Sequence, residues 1–343
     1  MEEFHYQKLS SDGKACYQRI FKAMQRLELS VFLRPRVQGS TVSDVLNAIS
    51  YDHPELYYVD FRYLSYRVSP LIASLDLRYY PNRQATVNRL EEKLQSILKS
   101  SQFCGLKNDY DRYRWLHDYL VRSVRYQNNA TETPDHHPEA YSAIGPLLNG
   151  YGVCEGIAKA YQLLCDRAGL PCSVLTGNST LEGFGEDTTH AWNLIRFGSD
   201  YTHVDVTWDL CLSVSTGYVR YDYFCLADRF QHRDHRYTAS PVCNSEQYSL
   251  YARTGTSFAT SSDLQKYLER ELRKGTTLLQ FRSDTNRASG DVLIKSINEQ
   301  VNQAISRFIA YPCTISMFYN KTQYCFFFKI SRATCRSSTT LGR

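Results

Sequence analysis

The chain has 343 residues with 43% hydrophobic and 22% charged, enough for two or three ordinary globular cores. Its net charge of +5 comes without a long Lys/Arg run, so a nucleic-acid partner is not expected. No stretch reaches the ~18 apolar residues of a membrane span, and MEEFHYQKLSSDGK lacks the basic and apolar regions of a secretory signal, so a cytoplasmic protein without a membrane span is expected.

Residues 14–27, KACYQRIFKAMQRL, place Tyr17, Ile20, Phe21, Met24 and Leu27 at helical spacing. TVSDVLNAI gives a second helix with Val42, Val45, Leu46 and Ile49 on one side. Pro54 stops it, and alternation from Tyr57 to Tyr66 predicts a strand. LIASLDLRYY predicts another strand, and Val87, Leu90, Leu94 and Ile97 a further helix. Residues 1–104 thus read as a mixed helix and strand region. NDYDRYRWLHDYLVRSVRYQ is a helix with a cap at Asn108, followed by the polar loop NNATETPDHHPEA.

After the central segment, SSDLQKYLERELRKG is a helix, TTLLQFR a strand and DVLIKSINEQVNQAISRFI a longer helix. CTISMFYNKTQYCFFFKI predicts a hairpin turning at Asn320-Lys321. Residues 251–343 therefore read as a small α/β subdomain, ending in a frayed tail, RATCRSSTTLGR.

The chemistry lies between these regions. The 11 cysteines contain no C-x-x-C pair, which argues for scattered buried thiols rather than a structural zinc site. Cys154 is different. CEGIAKAYQLLCDRAG places Ile157, Ala158, Tyr161, Leu164 and Cys165 on one apolar face and stops at Gly169. Cys154 falls at the helix start, where unpaired N–H groups and the positive end of the macrodipole favour the nucleophilic thiolate. Gly150 and Gly152 leave the approach uncrowded. Cys165 belongs to the core.

THAWNLIRFGSDYTHVDVTWD predicts two antiparallel strands, 189–197 and 200–208, around a tight turn at Gly198-Ser199. Phe197 then faces Asp200 and Trp192 faces Asp205, so His190 and Asp205 are diagonal neighbours on one face. An odd-numbered loop would separate them. A thiolate needs a proton acceptor, and the acceptor a carboxylate to orient it. Cys154, His190 and Asp205 fit those roles, with His203 the rival base and Asp209 a weaker orienter.

GVCEGIAKAYQLLCDRAGLPC, THAWNLI and YTHVDVTWD resemble the core motifs of the transglutaminase-like superfamily, and in particular its bacterial papain-like cysteine peptidases. NDYDRYRWLHDYLVRSVRY resembles the preceding helix of that family, DHPELYYVD its N-terminal region and YDYFCLADRFQHRDHR the segment after its core. The resemblance is strong over about 105–240. It implies an α+β, papain-like core over residues 105–250, with a central helix packed on an antiparallel sheet. It further implies Cys154 as nucleophile, His190 as general base and acid, and Asp205 as orienter. Trp192 and Trp208 match motif tryptophans and are expected to support the site by packing.

The expected activity is thiol-dependent acyl transfer on a protein or peptide, by a cysteine protease or amidase. A transglutaminase with an amine acceptor, or a scaffold without turnover, are the alternatives. The Cys154 backbone N–H is the expected oxyanion donor, with Tyr126 and Tyr141 as candidates for the second. No acidic cluster reads as a calcium loop, so neither metal nor other cofactor is expected.

Overall fold

The computed structural model describes residues 3–33, 38–68, 73–127, 137–180, 188–238, 241–283 and 290–333. By its contacts the chain divides into two units, Met1–Val214 with Tyr218–Ser245, and Ser215–Gly217 with Glu246–Arg343.

In the first unit, helices α1 (Ser11–Gln25) and α2 (Gly39–Asp52) pack with an antiparallel sheet. Its strands β1 (Ser30–Leu33), β2 (Ser65–Val68) and β3 (Ala73–Asp76) lie in the order β1-β3-β2. The expected helix faces are buried: Tyr17, Ile20 and Met24 from α1 meet Val42, Val45 and Ile49 from α2. The strand expected at 57–66 is mostly absent. Pro54–Leu56 and Phe61–Tyr63 are 3-10 turns, and extended pairing starts only at Ser65. Aromatic residues favour strands through the packing they find, not through the backbone itself. Here Tyr57 and Val59 find burial along a folded-back segment, where the Asp60 N–H donates to the Arg78 carbonyl.

Helix α3 (Arg83–Leu98), the short α4 (Ser101–Cys104) and α5 (Asp109–Ser123) follow. Asn108 caps α5 by accepting the Asp111 N–H at 2.9 Å, as its position promised. Two short parallel strands, β4 (Arg125–Tyr126) and β5 (Tyr151–Gly152), then lead to α6 (Cys154–Arg167). Gly150 makes that entry in the left-handed region at φ 72°. The apolar stripe of α6 is buried, and Cys165 is fully enclosed. Each such buried aliphatic side chain contributes about 1.5–3 kcal/mol.

Helix α6 packs on a five-stranded antiparallel sheet in the order β10-β6-β7-β8-β9. These strands are β6 (Cys172–Ser179), β7 (Thr188–Phe197), β8 (Asp200–Val204), β9 (Phe224–Leu226) and β10 (His235–Arg236). The β7–β8 register pairs Phe197 with Asp200 and Asn193 with Val204, as the two-residue turn requires. The second strand does not run to 208. It ends at Val204, and α7 (Val206–Thr216) begins at once. Asp205 causes the break: its Oδ1 accepts the Trp208 N–H at 3.1 Å, the bond of a helix cap.

In the second unit, β11 (Ser257–Phe258), β12 (Leu278–Ser283), β13 (Cys313–Asn320) and β14 (Cys325–Arg332) form a sheet in the order β11-β12-β14-β13. The short helix α8 (Asp228–Gln231) belongs to the first unit and the short α9 (Leu250–Arg253) to the second, where helices α10 (Ser261–Arg273) and α11 (Gly290–Phe308) cover a core with Leu268, Phe281, Ile297 and Phe328. The β13–β14 hairpin turns through Lys321–Tyr324 rather than at Asn320-Lys321, because Asn320 still pairs with Cys325. Most of the expected tail, 334–343, lies outside the described residues.

Gly156, in the first turn of α6, shows how closely the site is assembled. A Cβ there would lie 2.1 Å from the Ala140 carbonyl oxygen, which leaves only glycine room. Gly156→Ala is expected to lower stability by about 1–3 kcal/mol, read as a lower urea midpoint. An unchanged midpoint would show that the 138–141 turn does not depend on this contact.

Candidate active site

Three elements converge on one cavity. Cys154 opens α6, so its N–H lies in the helix's first turn, beyond reach of an intrahelical acceptor. His190 sits near the start of β7, opposite Gly177 of β6. Asp205 joins β8 to α7. The Asn193 side-chain amide donates to the Ala158 carbonyl at 2.9 Å and locks β7 onto α6.

The His190 Nε2–H donates to Asp205 Oδ2 at 2.6 Å. The Cys154 thiol lines the same cavity and is near enough to raise the His190 pKa. Since Nε2 is committed to the carboxylate, Nδ1 is the nitrogen left for the sulfur. Asp205 is fully buried and His190 is 6% exposed. Trp208 stacks on His190 with ring centroids 5.3 Å apart, and Trp192 lies at 6.0 Å. Trp208 does so from a helix, not from the strand expected for it.

Burial alone would lower the His190 pKa. The charge and hydrogen bond of Asp205, with the Cys154 thiol, outweigh it and push it up to about 10. Burial likewise raises Asp205, but His190 and His235 hold its carboxyl well below the usual range. The pair is thus an imidazolium and a carboxylate in a largely closed space.

The cavity is about 530 Å³, and Cys154, His190, Tyr51, Tyr126, Tyr141 and Trp208 line it. Tyr126 and Tyr141, both named from sequence, are therefore beside Cys154. Burial and the nearby Cys154 thiol both raise the Tyr126 phenol, which keeps it a hydrogen donor.

The two rival residues are committed elsewhere. His203 Nδ1 accepts the Trp192 indole N–H at 3.2 Å, and its Nε2 lies 2.9 Å from Asp228 Oδ1. Asp209 accepts from His117 Nε2 at 3.1 Å and from the Tyr223 N–H at 3.0 Å. It fastens α7 to α5 and does not orient His190.

Sequence reasoning missed His235. Its Nε2 lies 3.1 Å from Asp205 Oδ2, and its Nδ1 lies 2.7 Å from Asp234 Oδ1. The only sequence signal was the Asp-His pair in FQHRDHR, with no local pattern to link it to residue 205. Tyr51 and Cys211 also line the cavity without having been foreseen.

Among the described residues, two groups bring metal-capable atoms within 4.8 Å: His190, Asp205 and His235, and His203, Asp228 and Cys243. Hydrogen bonds already occupy both. The Trp192 N–H fills the His203 Nδ1 lone pair, so Nε2 carries the proton and donates to Asp228. A metal at that nitrogen would require an imidazolate.

Residues 98–206 match the family model of the transglutaminase-like superfamily. Over those residues the chain is similar to transglutaminase-like proteins. Kyphoscoliosis peptidase of Mus musculus is 25% identical over 148 residues, covering 39% of this chain and 21% of that protein. The Homo sapiens protein of the same name is 25% identical over 149 residues, with the same coverage. The chain thus spans about a fifth of the length of these curated relatives. Among solved structures, a TGase is similar at TM-score 0.31 and 14% identity, over 42% of this chain and 43% of that one. A candidate cysteine protease from Cytophaga hutchinsonii is similar at TM-score 0.29 and 18% identity, over 40% and 51%. No helix among the described residues is long and apolar enough to cross a membrane.

The raised His190 pKa has a consequence for the stability of the first unit. A histidine raised on folding contributes fully below its unfolded value near 6.5, and that contribution is lost as pH rises toward about 10. His117, pushed up to about 9 by Asp118 and Asp209 against its burial, adds in the same direction. The urea midpoint is expected to fall between about pH 7 and 10, and to fall less steeply in His190→Gln. Equal slopes for the two proteins would contradict the buried ion pair.

Proposed function

We propose that the transglutaminase-like domain carries out thiol-dependent acyl transfer on protein or peptide substrates, with water as the acceptor. One observation carries this reading: His190 is held by Asp205 at 2.6 Å through one nitrogen and lines one cavity with the Cys154 thiol at the helix start. The relatives named as peptidases support the hydrolytic direction.

In this mechanism the Cys154 sulfur attacks the carbonyl carbon and the C=O electron pair moves to oxygen. The oxyanion meets the Cys154 N–H, with Tyr126 or Tyr141 as the second donor. Collapse of the intermediate breaks the C–N bond, and His190 gives its proton to the leaving amine. The thioester is then opened by water, whose proton His190 takes up. Cys154 leaves with the acid product released and its starting state restored. Asp205 holds the imidazole orientation throughout.

An activated ester tests this without knowledge of the natural substrate. Incubation with p-nitrophenyl acetate is expected to place one acetyl group on Cys154, detected by peptide mass spectrometry, and to release it on standing. Cys104, an exposed thiol of the same chain, is the internal reference. His190→Ala is expected to slow turnover by about 10²–10⁴-fold. Acetylation of Cys154 no faster than that of Cys104, unchanged in the variant, would leave a binding scaffold. Faster consumption of the thioester by added primary amine than by water would instead favour a transglutaminase.

A further inference from the structure

Asp205 serves two histidines. His190 Nε2 and His235 Nε2 both lie on its Oδ2, at 2.6 and 3.1 Å, while Oδ1 takes the Trp208 N–H. Behind His235, Asp234 takes the His235 Nδ1 contact on Oδ1 at 2.7 Å and the Tyr223 hydroxyl on Oδ2 at 2.8 Å. Every oxygen of both carboxylates is therefore an acceptor. For both His235 contacts to be hydrogen bonds, both of its ring nitrogens must carry hydrogen.

A ring protonated on both nitrogens is a cation, and His235 is fully buried. Its surroundings suit a cation. Asp205 arrives from the β8–α7 junction and Asp234 from the segment before β10. The Trp208 and Trp192 rings lie 4.3 and 4.9 Å from its ring centre, within the range of cation–π attraction. The other titratable groups facing it are His190 on β7, with ring centroids 5.5 Å apart, and Tyr223 beside β9, at 5.9 Å. His203 on β8 also feels its charge.

We propose that His235, clamped between Asp205 and Asp234, is a positioning residue that sets how firmly His190 holds its proton. This rests on the acyl-transfer reading of the same site. If Asp205 faced His190 alone, its whole charge would stabilise the imidazolium, and His190 would be a poor acid toward a leaving amine. A second cation on the same oxygen takes part of that charge and opposes the positive charge of His190. His235 also fixes where Oδ2 lies, and so the direction in which His190 presents Nδ1 to Cys154. A role confined to holding the fold would require none of this coupling.

The test is nitrogen-15 NMR of the histidine side chains in the full chain. In the wild type at neutral pH, both His235 nitrogens are expected to show the shifts of a doubly protonated ring; a neutral ring would overturn the proposal with no variant needed. His235→Gln keeps an N–H donor for Asp205 but removes the charge. In it the His190 titration is expected to move upward by about one pH unit, the direction set by loss of a like charge within ~6 Å. Asp234→Asn, which weakens the clamp while keeping its shape, is expected to move it the same way by less. A folded variant in which His190 titrates where it does in the wild type would also overturn the proposal. These readouts need neither turnover nor Cys154 reactivity, so failure of the acyl-transfer reading would show separately, in the acetylation assay.

Discussion

Asp205 accepts hydrogen bonds from β7, α7 and β10 at once, through His190, the Trp208 N–H and His235. It has no exposed surface. A buried carboxylate without partners costs several kcal/mol, so the three donors cannot be independent of it. The same residue ends a strand, starts a helix and sets the azimuth of the imidazole. The geometry around Cys154 follows from these constraints, because β7 is in turn tied to α6 through Asn193.

A second arrangement of the same kind stands beside the first. Asp209, one turn along α7, holds His117 of α5, whose other nitrogen lies 3.0 Å from Asp118. The helix that Asp205 caps is thus anchored by two buried histidines, each between two aspartates. Half-satisfied polar groups of this type would be a liability in a core. With their partners in place they specify one arrangement of helix and sheet, which is what a site built from three separate elements requires.

The parts of this site visible in the sequence are those with a local period or a short covalent path. The apolar stripe from Ile157 to Cys165 fixes the α6 start within a residue or two, and so the place of Cys154. A two-residue turn leaves one register for β7 and β8, which puts His190 and Asp205 within reach. The cap at Asp205 was harder. Val204, Val206 and Trp208 continue a strand-like alternation, although Asp followed by a short apolar run is equally a helix start. Tyr57–Tyr66 misled for the same reason, since buried aromatics mimic strand pattern in a turning segment. His235 was beyond local reasoning, because 30 residues separate it from Asp205 and only the pairing of β10 with β6 brings them together.

In the proposed mechanism Cys154 and His190 act as one chemical unit. The most direct measurement is the rate of iodoacetamide alkylation at Cys154 between about pH 4 and 9, in the wild type and in His190→Ala, with Cys104 as the exposed reference. Fast labelling of Cys154 well below the ~8.5 pKa of a free thiol is expected, with the profile slowed and moved upward in the variant. Labelling of Cys154 that tracks Cys104 in both proteins would contradict that mechanism.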